Sequence, residues 1–263
     1  MIGIFDSGIG GLTIVKEFFK YLPKYQIIYF GDTARLPYGT KSPNLIKKWS
    51  KEIVKFLIKT GAKVVIIACH TSSAWAADFL KKEFPRLPIF EIITPGIKQA
   101  IKITKNKKIG IIGSPGTIKS GAHRKKLLGF NSTLKIYSQP CPLFVPLVEE
   151  GWINRPETKS IAEEYLSPLK KKGIDTLILA CTHYPLLKNT ISKITGKKIK
   201  IINPAKDLAI EFKNFLEKNK KVKKHLKKGK NHHFFVSDEP YNFKILSKMC
   251  LGKNINAKLV NSF

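Results

Sequence analysis

Two cysteines occupy matching positions in two similar stretches of the sequence. Residues 61–69 and 173–181 each run from a glycine through an apolar, strand-like segment to a cysteine, and they align without a gap. A threonine and a histidine follow each cysteine, as His70-Thr71 after Cys69 and as Thr182-His183 after Cys181. Because a nearby imidazole or helix N-terminus raises the thiolate fraction of a cysteine, both thiols are candidates for catalysis.

The remaining cysteines and the paired histidines are weaker candidates for a catalytic or metal-binding role. Cysteine is often buried as a small apolar residue. Cys141 lies between two prolines and Cys250 follows a lysine-flanked, helix-like run, and neither has a repeated counterpart. We interpret both as structural. The cysteines form no C-x-x-C pair, and the His232-His233 pair lacks companion ligands at metal spacing, so no metal site is predicted.

A glycine-rich turn follows the first strand-like segment. Residues 8–13 depart from the dinucleotide-binding fingerprint because Thr13 stands where its last glycine is required. Nucleotide binding is therefore not supported, although backbone N–H groups at such a turn suit a carboxylate.

Asp6, Glu149 and Glu150 stand out because acids are scarce. For Asp6 the alternative to a catalytic role is capping of the turn, and for the two glutamates it is an exposed helix end.

The order of elements indicates an α/β fold. Short β-branched runs alternate with longer amphipathic ones, as in parallel sheets covered by helices. The strand-like runs are residues 2–5, 27–30, 64–68, 109–112, 133–137, 176–180, 199–202 and 234–236. The helix-like runs are residues 12–21, 44–60, 73–84, 116–128, 156–172 and 205–219. Ligands of such sheets bind beyond the carboxyl ends of the strands, and the repeat predicts two half-domains whose cysteines face a common cleft.

The composition indicates a globular chain with a large excess of basic over acidic residues. Of its 263 residues 43% are hydrophobic, and 48 Lys and Arg against 18 Asp and Glu give a formal net charge of +30. This charge makes nucleic-acid contact possible. However, only four of the basic residues are Arg, the side chain best suited to reading phosphates and guanine. Attraction of a small dianionic substrate explains the charge equally well.

The sequence gives no sign of a membrane or secretory segment. Residues 64–69 form the longest clean apolar run, far short of the roughly 20 residues that a membrane span needs. The N-terminus has no basic segment leading into a long apolar run. We therefore expect a cytoplasmic protein without membrane contact.

Six segments together resemble the glutamate racemase family, within the cofactor-independent aspartate/glutamate racemases. They stand in family order and the likeness covers nearly the whole chain: residues 3–13, 31–40, 68–71, 113–121, 141–151 and 180–187. The resemblance implies two similar Rossmann-like or flavodoxin-like α/β domains with mainly parallel sheets and the active site between them. The first domain would comprise residues 1–94 plus 206–263, and the second residues 95–205.

The resemblance also implies a reaction and a set of site residues. The reaction is the interconversion of L- and D-glutamate, supplying D-glutamate for peptidoglycan, with no cofactor and commonly in a homodimer. Cys69 and Cys181 look like the two acid/base cysteines, assisted by Asp6, Glu149 and His183. Substrate contacts are implied for Asp6, Ser7, Pro37, Tyr38, Gly39, Cys69, His70, Thr71, Thr117, Cys181, Thr182 and His183. Two opposed thiols suit this reaction, because inversion needs a base on one face of the α-carbon and an acid on the other.

Two positions depart from the family pattern. His70 stands where the family typically has asparagine, and His123 stands where the family often has an aromatic residue. A neutral His70 can still form one hydrogen bond with substrate, whereas a protonated one would repel the substrate ammonium and draw Cys69 toward thiolate. The alternative functions are aspartate racemisation and a basic nucleic-acid-binding role.

Overall fold

The computed structural model describes residues 1–238 and 243–260 of the chain. These residues form ten β-strands: β1 Ile2–Asp6, β2 Ile27–Gly31, β3 Val64–Ile67, β4 Ile89–Glu91, β5 Lys108–Gly113, β6 Lys135–Pro140, β7 Thr176–Ala180, β8 Lys200–Ile202, β9 His233–Val236 and β10 Lys258–Leu259. They also form twelve α-helices: α1 Leu12–Tyr21, α2 Pro43–Lys59, α3 His70–Glu83, α4 Ile93–Ile103, α5 Pro115–Lys119, α6 Ala122–Phe130, α7 Phe144–Glu149, α8 Pro156–Lys171, α9 Lys188–Thr195, α10 Pro204–Lys218, α11 Lys220–His225 and α12 Phe243–Leu251. None of these helices has the length and apolar character that crossing a bilayer requires.

The strands form two separate parallel sheets, which confirms the predicted α/β fold with two parallel-sheet domains. The first sheet has the order β10-β9-β2-β1-β3-β4 and the second the order β6-β5-β7-β8. Every neighbouring pair of strands is parallel. The strands β1, β3 and β7 are buried at every position, as expected where helices cover both faces of a sheet.

The internal repeat of the sequence has a counterpart in the sheet topology. The order β2-β1-β3-β4 in the first sheet matches the order β6-β5-β7-β8 in the second. In each sheet the strand that ends in a cysteine motif, β3 or β7, pairs with the Ile-Gly-Ile strand, β1 or β5. The two repeated cysteines therefore occupy equivalent places, and β9 and β10 extend the first sheet beyond β2.

Two helices connect the parts of the chain that build the two sheets. α4 follows β4 and α10 follows β8, and the two helices pack against each other. α10 also packs against α1, which belongs with the first sheet. We propose residues 1–94 plus 206–263 as the first domain and residues 95–205 as the second, because β1–β4, β9 and β10 then share one domain and β5–β8 the other.

Some predicted elements have different bounds in the structure. The single helix predicted over residues 116–128 is wrong: α5 and α6 are separate, because the chain turns at Gly121 with a φ of +65°. The helix predicted from residue 73 begins at His70, since the Cys69 sulfur accepts the N–H of Ser72 and caps α3. The strand predicted over residues 133–137 is β6, which begins and ends later. The prediction also omits β4, α4, α7, α9, α11, α12 and β10.

Candidate active site

A small cavity lies between the two domains at the carboxyl ends of their strands. Ser7 and Cys69 follow β1 and β3 in the first domain, while Ser114 and Cys181 follow β5 and β7 in the second. The free space inside it is only about 30 Å³, far below the roughly 300–1,000 Å³ of typical small-molecule sites, so the structure shows the cavity closed. It is lined by Ser7, Leu36, Pro37, Tyr38, Gly39, Cys69, His70, Thr71, Ser114, Val145, Ala180, Cys181, Thr182 and His183.

Cys69 lies at the N-terminus of α3 and is almost completely buried. Its Sγ accepts the backbone N–H of Ser72 at 3.4 Å and donates to the hydroxyl of Ser7 at 3.6 Å. Burial raises the pKa of the Cys69 thiol to about 11; the Asp6 carboxylate adds to this effect and the contacts with Ser72 and Ser7 oppose it. Cys69 is therefore a protonated thiol at neutral pH, ready to give a proton.

Cys181 stands at one end of a chain of three ionisable side chains. Its Sγ lies 3.8 Å from Nδ1 of His183, and Nε2 of His183 lies 2.5 Å from Oε1 of Glu149. Burial disfavours the charged imidazole, but the hydrogen bonds to Cys181 and Glu149 outweigh it and raise the pKa of His183 well above its usual range. His183 is therefore a cation at neutral pH and brings positive charge to the sulfur of Cys181.

Asp6 lies behind the cavity rather than in its lining. Its Oδ2 accepts the backbone N–H groups of Gly8 and Gly11, each at 3.1 Å. The hydroxyl of Thr182 donates to the same carboxylate at 3.3 and 3.4 Å. Burial raises the pKa of Asp6, against the lowering effects of His183 and these hydrogen bonds. Two N–H groups of the glycine-rich turn are thus occupied by Asp6, which ties the turn after β1 to the residue beside Cys181.

Three hydroxyl groups meet across the domain boundary. Thr71 Oγ1 lies 3.1 Å from Ser114 Oγ and 2.8 Å from Thr117 Oγ1, and the last two lie 3.0 Å apart. Thr71 comes from α3 of the first domain, whereas Ser114 and Thr117 come from the start of α5 in the second. A hydroxyl can rotate to donate to a substrate oxygen, so this cluster suits a carboxylate.

One wall of the cavity is the segment after β2. The Leu36–Pro37 peptide bond is cis. The buried Tyr38 donates its hydroxyl to Asp32, which also accepts the hydroxyl of Ser237 at 2.8 Å. A Cβ atom on Gly39 would lie 2.5 Å from Cβ of Ser114. A glycine at this position therefore lets the wall touch the second domain directly.

His70 is the first residue of α3 and lines the cavity next to Cys69. Its Nδ1 lies 3.3 Å from Nε2 of His123 in α6, and the two rings stack with centroids 5.4 Å apart. Burial lowers the pKa of His70 well below its usual range and that of His123 to about 4. Of the two forms of His70 considered from the sequence, the structure favours the neutral one.

Ten of the residues that the sequence predicts for the site line the cavity: Ser7, Pro37, Tyr38, Gly39, Cys69, His70, Thr71, Cys181, Thr182 and His183. Asp6, Thr117 and Glu149 stand behind the lining and hydrogen-bond to members of it. Cys141 and Cys250 are buried in the hydrophobic cores.

Four lining residues were not predicted from the sequence: Leu36, Ser114, Val145 and Ala180. Ser114 directly follows β5 just as Cys181 follows β7, so its place at the end of a strand-like run did mark it as a candidate, although the sequence alone assigned it no role. Leu36, Val145 and Ala180 are apolar, and nothing in their type marks them as wall residues. Within residues 1–238 and 243–260, the His, Cys, Asp and Glu side chains form no group of three or more that could hold a metal ion.

Comparison with known proteins shows the family to which the chain belongs. The Asp/Glu/hydantoin racemase family model matches residues 11–209. A glutamate racemase of Geobacter metallireducens is 43% identical over 251 residues, which cover 95% of this chain and 92% of that protein. The chain belongs to the glutamate racemase family. It is therefore a racemase, an isomerase built on the two-domain α/β fold.

Solved structures of the family resemble the chain over almost its full length. The glutamate racemase from Francisella tularensis in complex with D-glutamate matches with a TM-score of 0.90 and 40% identity, over 98% of this chain and 96% of that one. The glutamate racemase from Aquifex pyrophilus matches with a TM-score of 0.83 and 41% identity, over 99% of this chain and 98% of that one. The similarity therefore includes the residues of both sheets.

Proposed function

We propose that this protein interconverts L- and D-glutamate by moving protons between the α-carbon and two thiols. The observation that carries the proposal is that Cys69, from the first sheet, and Cys181, from the second, line one cavity. The similar structure from Francisella tularensis binds D-glutamate, which supports the choice of substrate.

The two thiols complete the reaction without a net change in their number of protons. The thiolate of one cysteine removes the α-proton and becomes a thiol, leaving the electron pair on the substrate. The thiol of the other cysteine then gives its proton to the opposite face of the α-carbon and becomes a thiolate. After one turnover the cysteines have exchanged protonation states, which leaves the enzyme ready for the other enantiomer.

The different surroundings of the two cysteines support an order in which they act. Cys69 is buried near the Asp6 carboxylate and holds its proton, because its pKa is raised to about 11. The Sγ of Cys181 lies 3.8 Å from Nδ1 of His183. Cys181 therefore acts as the first base and Cys69 as the first acid. The opposite enantiomer requires the reverse assignment, with Cys69 as the base and Cys181 as the acid.

The remaining cavity residues hold the substrate and stabilise the charge that develops at its α-carbon. Hydrogen-bond donors aimed at the α-carboxylate lower the energy of the carbanion, since its charge spreads onto those oxygens. Ser7 and the hydroxyl cluster of Thr71, Ser114 and Thr117 supply such donors. Asp6 acts as a positioning residue, because it orients Thr182 and the turn after β1.

A racemisation assay on the purified protein tests the function. Circular dichroism of L-glutamate and of D-glutamate, without added cofactor, is expected to decay to zero at equal final amounts of both enantiomers. L- and D-aspartate are measured in parallel, and glutamate is expected to react faster. A constant signal with folded protein would contradict the racemase assignment, and faster turnover of aspartate would identify an aspartate racemase instead.

The cellular role follows the reaction. We propose that the D-glutamate product supplies peptidoglycan synthesis, which is the role that the sequence resemblance implies. The homodimer and the cytoplasmic location stay predictions. Nucleic-acid binding through the basic surface is not favoured, because it would leave the paired thiols and their cavity without a purpose.

A further inference from the structure

Two histidines form a buried hydrogen-bonded pair beside Cys69. His70 and His123 are each only 3% exposed. Their rings are nearly parallel, with 20° between the planes, and the contact joins Nδ1 of His70 to Nε2 of His123 at 3.3 Å. The pair crosses the domain boundary, since His70 begins α3 and His123 lies in α6. It belongs to neither the thiol pair nor the His183–Glu149 pair.

Burial keeps this pair of histidines uncharged. Two charged side chains act on His123, Glu91 and Lys126, and Nζ of Lys126 lies 3.0 Å from Oε1 of Glu91. The Glu91 carboxylate also accepts the N–H groups of Ile93 and Thr94, and it forms no hydrogen bond with His123. Because burial disfavours the charged form of both rings and outweighs the effect of Glu91 on His123, both imidazoles are neutral, and each carries one proton on one of its two nitrogens.

In a hydrogen bond between two neutral imidazoles, the ring that donates determines which nitrogen of each ring carries the proton. If Nδ1 of His70 carries the proton, it donates to His123 and leaves Nε2 of His70 as an acceptor. If Nε2 of His123 donates, Nε2 of His70 must carry a proton and becomes a donor. Within the described residues, no protein group forms a hydrogen bond with Nε2 of His70, although this buried residue lines the cavity.

We propose that His123 is a positioning residue that holds His70 in the wall of the cavity, so that Nε2 of His70 accepts a hydrogen bond from the substrate ammonium. The inference rests on the proposed glutamate racemisation. Hydroxyl donors for the substrate carboxylates are already present at Thr71, Ser114 and Thr117, whereas the ammonium needs an acceptor. A neutral His70 supplies one, and the bond to His123 fixes both its ring orientation and its proton.

Substitutions at His123 distinguish the effect of its hydrogen bond on KM from the effect of its size. His123→Phe keeps a buried aromatic ring but removes the nitrogen, and we expect KM for glutamate to rise about 5- to 100-fold with a small change in kcat, as for loss of a buried hydrogen bond. His123→Gln can place an amide near the position of Nε2, and we expect it to restore KM to within about threefold of the original. His225→Phe, at an exposed position of α11, is the matched control and should leave KM unchanged.

A double-mutant cycle tests whether His123 acts through His70. In a His70→Leu background, His123→Phe is expected to change KM little further, because its partner is already absent. Additive effects, or a His123→Phe variant with unchanged KM, would overturn the proposal. Thermal unfolding and far-UV circular dichroism identify variants that fail to fold.

A measurement independent of activity separates this inference from the proposed function. The ¹⁵N chemical shifts of the imidazoles report which nitrogen carries the proton. We expect the Nδ1 and Nε2 signals of His70 to identify the Nδ1–H tautomer in the native protein and to change in His123→Phe. Unchanged His70 signals in His123→Phe would contradict the proposal even if the protein racemises glutamate. If the tautomer of His70 changes in this variant but the native protein does not racemise glutamate, the contact between the two histidines is supported and only the proposed substrate is rejected.

Discussion

Replacement of either Cys69 or Cys181 with serine is expected to reduce the racemisation rate by about 10²- to 10⁴-fold, the range that a positioned acid or base contributes. A serine hydroxyl keeps the size of the thiol but is a far weaker acid, so it neither ionises to take the α-proton nor gives up a proton readily. Because the two cysteines alternate as base and acid, each loss should affect both directions of the reaction. Initial rates from each glutamate enantiomer measure the effect.

The two other cysteines provide matched controls for these substitutions. Cys141 and Cys250 are buried in the cores and do not line the cavity. Cys141→Ser and Cys250→Ser should therefore retain activity as long as they fold, which unfolding curves establish. Full activity in Cys69→Ser or Cys181→Ser would refute the mechanism with two thiols.

Replacement of Glu149 with glutamine is expected to slow the reaction by roughly 10- to 100-fold and to change its pH dependence. Glu149 lies 2.5 Å from His183 and is one of the groups that raise the pKa of His183. Without the carboxylate this pKa falls, so His183 loses its proton at a lower pH. The decline of kcat/KM at high pH that accompanies loss of the cation should therefore begin at a lower pH in Glu149→Gln.

Glu150→Gln is the control for the Glu149 substitution. The same charge is removed at an exposed position one residue further along, and we expect the native pH profile. The measurement is kcat/KM for L-glutamate between about pH 6 and pH 10, which spans the reference pKa values of histidine and cysteine. An identical profile for Glu149→Gln and the native protein would show that Glu149 does not control His183.

The repeated strand and cysteine pattern was sufficient to predict the central part of the fold. Continuous apolar runs such as those of β3 and β7 are typical of strands buried on both faces, and the chemistry at their ends identified Cys69 and Cys181. The fold class follows from the alternation of these runs with helices. The strand order β2-β1-β3-β4 in the first sheet matches the order β6-β5-β7-β8 in the second. The repeat in the sequence is therefore also a repeat in the topology.

Other features depend on contacts that a single sequence does not contain. β4 has three residues, too few for a periodic pattern, and the break between α5 and α6 depends on a positive φ at Gly121. The contact of His70 with His123 joins residues that are 53 positions apart, and neither residue type predicts the other. The placement of Asp6 and Glu149 behind the lining likewise depends on hydrogen bonds between distant parts of the chain, to Thr182 and His183.

The exchange of solvent deuterium tests the two-thiol mechanism most directly. In D₂O the protons on both thiols exchange with solvent, so the acid that completes each turnover delivers deuterium to the face opposite the one that lost its proton. Early in the reaction of L-glutamate, ¹H NMR and mass spectrometry of the separated enantiomers should show deuterium at Cα of D-glutamate and protium in the recovered L-glutamate. Deuterium entering L-glutamate as fast as D-glutamate forms, or D-glutamate that keeps the original proton, would mean that one group serves both faces and would contradict the account.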